Sequence, residues 1–312
     1  MPSLKRKQTP TFRWRVMAHR CCILSVEHGD QRRRGRNASW AQMGPSLGTL
    51  LATGSIAIVT LQLPEASFLA WGWRLPFFAS VVLVAFGLWI RVGVQETPLF
   101  RQLEREKSQA RAPVGEVLRM HWPKLLIGGG ARIGPDVLYS LAAVFSLSYL
   151  TTTVGVSRTL ALVALSIGGA CNAVTIPIFG SLSDRFGRRA VYGAGVLCAL
   201  VLAFVFFPLL DSGSPVVITF AIAAALVVHA MMYGPQAAFI AEQFPTRVRY
   251  AGSSLAYTLA GIVGGGIAPV VFATLQRTFA TTHALSAYLA AALLVTGIVL
   301  IIARERAGAA LE

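Results

Sequence analysis

Arg132-Ile-Gly-Pro-Asp136 sets a guanidinium and a carboxylate four residues apart inside a stretch that is otherwise apolar. On a helix that spacing puts both on one face. A charge inside hydrocarbon costs about 2.5 kcal/mol or more, so such groups face a cavity and keep a partner. Two chemistries fit. In the first, Arg132 attracts an anionic group and Asp136 exchanges a proton. In the second, the two form an ion pair held in the protein interior. Gly134 and Pro135 between them loosen the helix, and interrupted helices near the mid-plane are where carriers bind solutes. Tyr139, Phe145 and Tyr149 follow on or near the same face, as packing residues or as ligand contacts. A second apolar stretch holds His229, Tyr233, Pro235 and Gln236. His229 titrates near neutral pH and fits either a proton relay or a neutral, hydrogen-bonded packing residue. The candidates for contact with a solute or a proton are therefore Arg132, Asp136, Tyr139, His229 and Gln236. Asn172 reads as an interhelical hydrogen bond, and Gly261, Gly264, Gly265 and Gly266 as close helix crossings.

Other chemistries lack their residues. The chain has no phosphate-binding P-loop, no HExxH, no nucleophile elbow and no paired acids, so neither an enzyme nor an ATP-driven pump is expected. Cys21 and Cys22 are adjacent in a polar segment, while Cys171 and Cys198 lie in apolar stretches. None forms a CxxC pair, so no metal, disulfide framework or cofactor is expected.

The elements that position these residues follow from composition. Of 312 residues, 55% are hydrophobic and 13% charged, with mean hydropathy +0.62. Soluble chains carry about a quarter charged residues. Apolar runs of about 20 residues match a hydrocarbon layer about 30 Å thick. Eight recur: Met43 to Leu63, Leu75 to Val94, Leu125 to Leu150, Leu160 to Leu182, Ala190 to Leu210, Val216 to Ala238, Ser253 to Leu275 and Ala284 to Ala303. With the backbone obliged to satisfy itself in lipid, the expected fold is an all-α polytopic membrane protein.

Lys and Arg set its orientation. Ten lie in 1–42, seven in 91–124, three in 183–189, and two each in 247–249 and 304–306; that is 24 on the side of the termini. Arg74, Arg158 and Arg277 lie opposite. The bias places both termini in the cytoplasm. The net charge of +15 is spread between the spans, so lipid rather than nucleic acid is the expected partner.

Five regions result: a basic segment 1–40 without an apolar run, two spans over 41–94, a charged loop 95–123, six spans over 124–304, and a tail 305–312. Charges in the loop, such as Arg101 and Glu104, suit a surface helix. Two spans before the loop and six after it suggest a twelve-span protein lacking its first four. Residues 1–40 then read as a start produced by truncation or a shifted frame. A separate N-terminal fragment or a second copy would complete such a chain.

Between the fourth and fifth spans stands Gly180-Ser-Leu-Ser-Asp184-Arg185-Phe-Gly187-Arg188-Arg189. It resembles the cytoplasmic loop signature of the major facilitator superfamily. Gly180 suits a close helix approach, Gly187 a tight turn, and Asp184 a pairing across the loop or with a helix N-terminus. Further segments resemble the metabolite:proton symporter family within it: Ser39-Trp40-Ala-Gln42-Met-Gly44, Trp71-Gly-Trp-Arg74-Leu-Pro76, Glu96-Thr-Pro98, and Glu242-Gln-Phe-Pro245-Thr-Arg247-Val-Arg249. The resemblance runs from about Ala38 to Ala303. It implies secondary active symport of a small organic acid or zwitterion with a proton, by alternating access across the inner membrane. Asp184 with Arg185, Arg188 and Arg189 would latch the cytoplasmic side. A non-transporting remnant and a sensor that keeps the fold are the alternatives.

Overall fold

The computed structural model describes residues 33–93, 113–279 and 281–305. Among them there is no strand, and eight helices are long and apolar enough to cross a membrane. Helix α1 spans Arg34–Gln62, α2 is the short Glu65–Ala70, α3 is Leu75–Gly93 and α4 is Pro113–Met120. Then follow α5 (Trp122–Val154), α6 (Arg158–Phe186), α7 (Arg188–Asp211), α8 (Pro215–Gln243), α9 (Thr246–Phe279) and α10 (Thr282–Ile302).

Hydropathy finds the apolar middle of each span, and polar chemistry decides where the helix stops. α6 starts on the Ser157 side chain, which accepts from the Leu160 N–H, and α8 starts with Pro215, whose missing N–H costs nothing there. Gly187 at φ +94° makes the turn between α6 and α7, in backbone space that other residues avoid. The largest departure from the apolar runs is at the front. α1 begins at Arg34, nine residues before Met43, inside the stretch assigned to the basic segment. No apolar periodicity marks that first turn; contacts from α6 hold it. The loop pairs expected from Arg101 and Glu104 lie outside the described residues, whereas Glu116 on α4 meets Arg247 at 3.2 Å.

Helices α5–α10 form one packed unit. Leu141, Phe145 and Tyr149 of α5 interlock with Phe206 and Phe207 of α7 and Phe272 of α9. α6 is the hub, lying against α8 on one side and along α1 on the other. α1 approaches so closely that a Cβ on Gly180 would meet Ser39 and the Gly35 carbonyl. α3 stands apart: Phe77, Phe78, Val82 and Trp89 are each more than 60% exposed, which in lipid carries no hydrophobic penalty.

Two spans depart from regular α geometry. α5 passes through π-helical turns at Ser140–Phe145 and Leu150–Val154, and α9 through one at Ile262–Ile267. They are stitched together where Ser140 Oγ donates to the Gly264 carbonyl at 2.7 Å. Such turns recur at functional sites, and this pair lies one helical turn from Asp136.

Candidate functional site

Polar side chains gather in two places. The first is mid-span, between α1, α5, α8 and α9. Arg132 Nε donates to Asp136 Oδ2 at 2.7 Å. The Arg132 guanidinium lies over the Tyr257 ring, 4.2 Å from its centre, a cation–π contact from α5 to α9. Gln42 of α1 donates to the Tyr257 hydroxyl at 3.2 Å. Thr49, two turns further along α1, shares a 2.6 Å hydrogen bond with the Tyr139 hydroxyl. The Tyr139 ring is 5.1 Å from His229, which stacks on Tyr233 at 4.9 Å. Gln236 donates to Tyr192 at 3.2 Å, and Tyr192 donates to the Ala131 carbonyl at 2.6 Å. This cluster therefore holds all five candidates: Arg132, Asp136, Tyr139, His229 and Gln236.

The bonding of the cluster is incomplete. Arg132 carries five N–H donors in a fork shaped for a carboxylate. Among the described residues it donates only from Nε, and the side chain keeps 16% of its exposure. Its two terminal NH₂ groups make no hydrogen bond among the described residues. Gln236 Oε1 is a buried acceptor with no partner among the described residues. A buried polar group without a partner costs about 1–3 kcal/mol, so capacity is being held here.

The second cluster lies at the end of α6. Asp184 Oδ1 and Oδ2 accept from the Gly35 and Arg36 backbone N–H groups at 2.8 and 2.9 Å. This places a carboxylate on the positive end of α1. Arg188 Nη1 donates to Asp184 Oδ1 at 2.6 Å and to Ser183, while Nη2 reaches Glu242 Oε1 at 3.5 Å. Glu242 also has Arg34 as a charged neighbour. Arg249 is buried and donates to the Ala241 and Phe244 carbonyls, closing the corner between α8 and α9 at Pro245. Arg247 points outward to Glu116.

The three arginines of the loop do not act alike. Only Arg188 touches Asp184. Arg189 turns to the Ile301 carbonyl of α10, and Arg185 is exposed without a partner among the described residues. The contact with Asp184 that the motif suggested for all three is thus made by Arg188 alone, while Arg185 lies on the outer face of α6.

Sequence reading missed the partners that lie far away in the chain. Gln42, Ser46, Thr49 and Thr53 recur at helical spacing along one face of α1 and bond to α9, α6, α5 and α6 in turn. That spacing was available in the sequence as the signal. Glu305 was not legible: it sits in the tail, and its carboxylate accepts from the Arg188 and Arg189 N–H groups at the start of α7.

A family model described as Major Facilitator Superfamily matches residues 23–269 and 136–311. The chain belongs to the Major Facilitator Superfamily. The match begins ahead of the Ala38 boundary that the motifs marked. Among curated relatives, the Escherichia coli (strain K12) inner membrane metabolite transport protein YhjE is 33% identical, with 91% of this chain and 65% of the relative covered. The shikimate transporter of the same organism is 34% identical, covering 91% and 66%. Its proline/betaine transporter is 31% identical, covering 78% and 50%. The chain thus spans about two thirds of the length of the first two relatives. Among solved structures, the proton:xylose symporter XylE bound to 6-bromo-6-deoxy-D-glucose superposes with a TM-score of 0.72 at 17% identity, over 93% of this chain and 68% of that one. This likeness shows the shared superfamily fold.

Proposed function

We propose that this chain carries the cargo-binding and cytoplasmic-gating machinery of a secondary transporter. It couples uptake of a small organic acid or zwitterion to a proton by alternating access across the cytoplasmic membrane. The observation that carries this reading is the open guanidinium fork of Arg132 beside Asp136, mid-span, where a charge keeps a partner or faces a cavity. A carboxylate on the cargo matches that fork. Its arrival would draw Arg132 from Asp136, whose carboxylate then takes the proton and makes cargo and proton binding interdependent. The names of the relatives, carriers of metabolites, shikimate and proline or betaine, support an anionic or zwitterionic cargo.

The Asp184–Arg188 cluster is read as the latch of a state closed at its end of α6. The Lys and Arg bias supports placing that end, and both termini, in the cytoplasm. Gly44 and Gly48 on α1, and Gly261 and Gly265 on α9, have nothing among the described residues within 4 Å of the position of a Cβ. Such faces suit close packing by further helices, from a separate fragment or a second copy.

The test is uptake of labelled shikimate and glycine betaine into proteoliposomes under an imposed pH gradient. Uptake that collapses with the gradient and is lost in Arg132→Gln is expected. Binding without flux would instead favour a sensor.

A further inference from the structure

Where α1, α6 and α8 cross, three buried polar side chains meet. Ser46 Oγ donates to Asn172 Oδ1 at 2.5 Å. Asn172 Nδ2 donates to the Leu226 carbonyl at 2.5 Å and lies 3.1 Å from His229 Nδ1. Asn172 has no accessible surface and His229 keeps 2%.

This geometry determines where the imidazole proton sits. A backbone carbonyl only accepts, so the amide nitrogen of Asn172, and not its oxygen, must face Leu226. Ser46 is indifferent, because a hydroxyl donates or accepts. The same NH₂ group reaches His229 Nδ1 and can only donate to it, so Nδ1 is the bare acceptor. A neutral imidazole carries one N–H, which is therefore on Nε2. A doubly protonated ring would set Nδ1–H against the amide N–H, two donors facing each other in a buried place. Nε2 has no hydrogen bond among the described residues. The charged and titratable groups around the ring are Tyr139 and Arg132 from α5 and Tyr233 from α8 itself. α6 and α1 present Asn172 and Ser46, which do not titrate.

We propose that the Leu226 carbonyl, Asn172 and Ser46 hold His229 as a neutral Nε2–H donor for an acceptor group on the cargo, so that His229 orients the cargo and carries no coupled proton. Asn172 and Ser46 are positioning residues that act through the ring. The donor role rests on the transport reading of the same cluster; the tautomer does not.

The test is nitrogen-15 NMR of the full chain labelled at histidine, in lipid nanodiscs, with His229 assigned by the signals lost in His229→Gln. The wild-type ring is expected to show only the Nε2–H tautomer, with no titration between about pH 5 and 8, where an ordinary histidine charges. Asn172→Asp puts an acceptor opposite Nδ1 and should make the ring titrate in that window. Asn172→Ala removes the lock and should give mixed tautomers, so the proposal stays testable if one variant fails to fold. A packing role for Asn172 would leave the tautomer unchanged in both variants and overturn the lock, as would a wild-type ring protonated at Nδ1. For the donor role, whichever of shikimate and glycine betaine the chain takes up should shift the Nε2–H signal; an unmoved signal overturns it. If wild type takes up neither, the transport reading fails, and the tautomer alone decides the lock.

Discussion

The two polar clusters use the same residue types in opposite ways. At the Asp184 end both carboxylate oxygens are occupied, by two backbone N–H groups and by Arg188, which also reaches Ser183 and Glu242. At the Arg132 centre the ion pair rests on one hydrogen bond, and the guanidinium fork is left open. As a latch, the Asp184 end would gain from filling both carboxylate oxygens, because each charge-assisted bond made is lost on opening. The Arg188 Nε nevertheless stays buried without a partner among the described residues. A binding site would gain from open terminal donors, because a carboxylate on the proposed cargo could fill them. Buried charge alone separates neither role; the difference lies in which donors stay open, the terminal NH₂ fork of Arg132 at the centre and the inner Nε of Arg188 at the Asp184 end.

Breaking the centre should have the largest effect. Removing one member of a buried pair strands the other, which costs about 3–5 kcal/mol. Arg132→Gln or Asp136→Asn should therefore lower thermal stability by that order and abolish uptake. The double variant should regain most of the stability and none of the uptake. Wild-type stability in both single variants would show that the pair is solvated rather than buried.

At the other cluster, Asp184→Asn keeps an acceptor but loses the charge on the α1 N-terminus and on Arg188. Charge-assisted bonds are worth about 1.5–3 kcal/mol, so opening at that end should become easier and uptake should fall while membrane insertion is unaffected. Unchanged uptake would remove the latch role.

Gly180→Ala tests whether the latch needs the close crossing of α1 and α6. The added methyl meets Ser39, and overpacking costs about 1–3 kcal/mol. Thermal unfolding should show that loss, and Ser39→Gly on the same chain should recover part of it. No recovery would place the strain elsewhere.

The smallest effects should come from the rim. Glu305→Gln weakens a helix-end contact worth about 0.3–1 kcal/mol, and less at high salt. Arg185→Gln should change stability by under about 0.5 kcal/mol, as surface substitutions do. An Arg185 effect as large as that of Arg188→Gln would mean that the loop acts as a cluster after all.

How much was legible follows from which interactions are local. Arg132 and Asp136 announce each other because they are four residues apart on one helix. His229 and Gln236 were visible as polar residues where apolar ones are the rule. The partners of these residues were not visible: Gln42 meets Tyr257 across 215 residues and Ser46 meets Asn172 across 126, and no periodicity encodes such a pairing. The start of α1 at Arg34 was hidden for the same reason, since the carboxylate that caps it belongs to α6.

Sequence alone determined the membrane, the eight apolar spans and the positions of the intramembrane charges, because hydrocarbon enforces backbone self-satisfaction and makes every polar residue an exception. The loop signature carried the family in the same local way. Only the tertiary structure decided which arginine holds Asp184, which donors of Arg132 stay open, and which nitrogen of His229 faces Asn172. Those depend on carbonyls, hydroxyls and rings brought together by helix packing, where a shift of a few tenths of an ångström separates a partner from a neighbour.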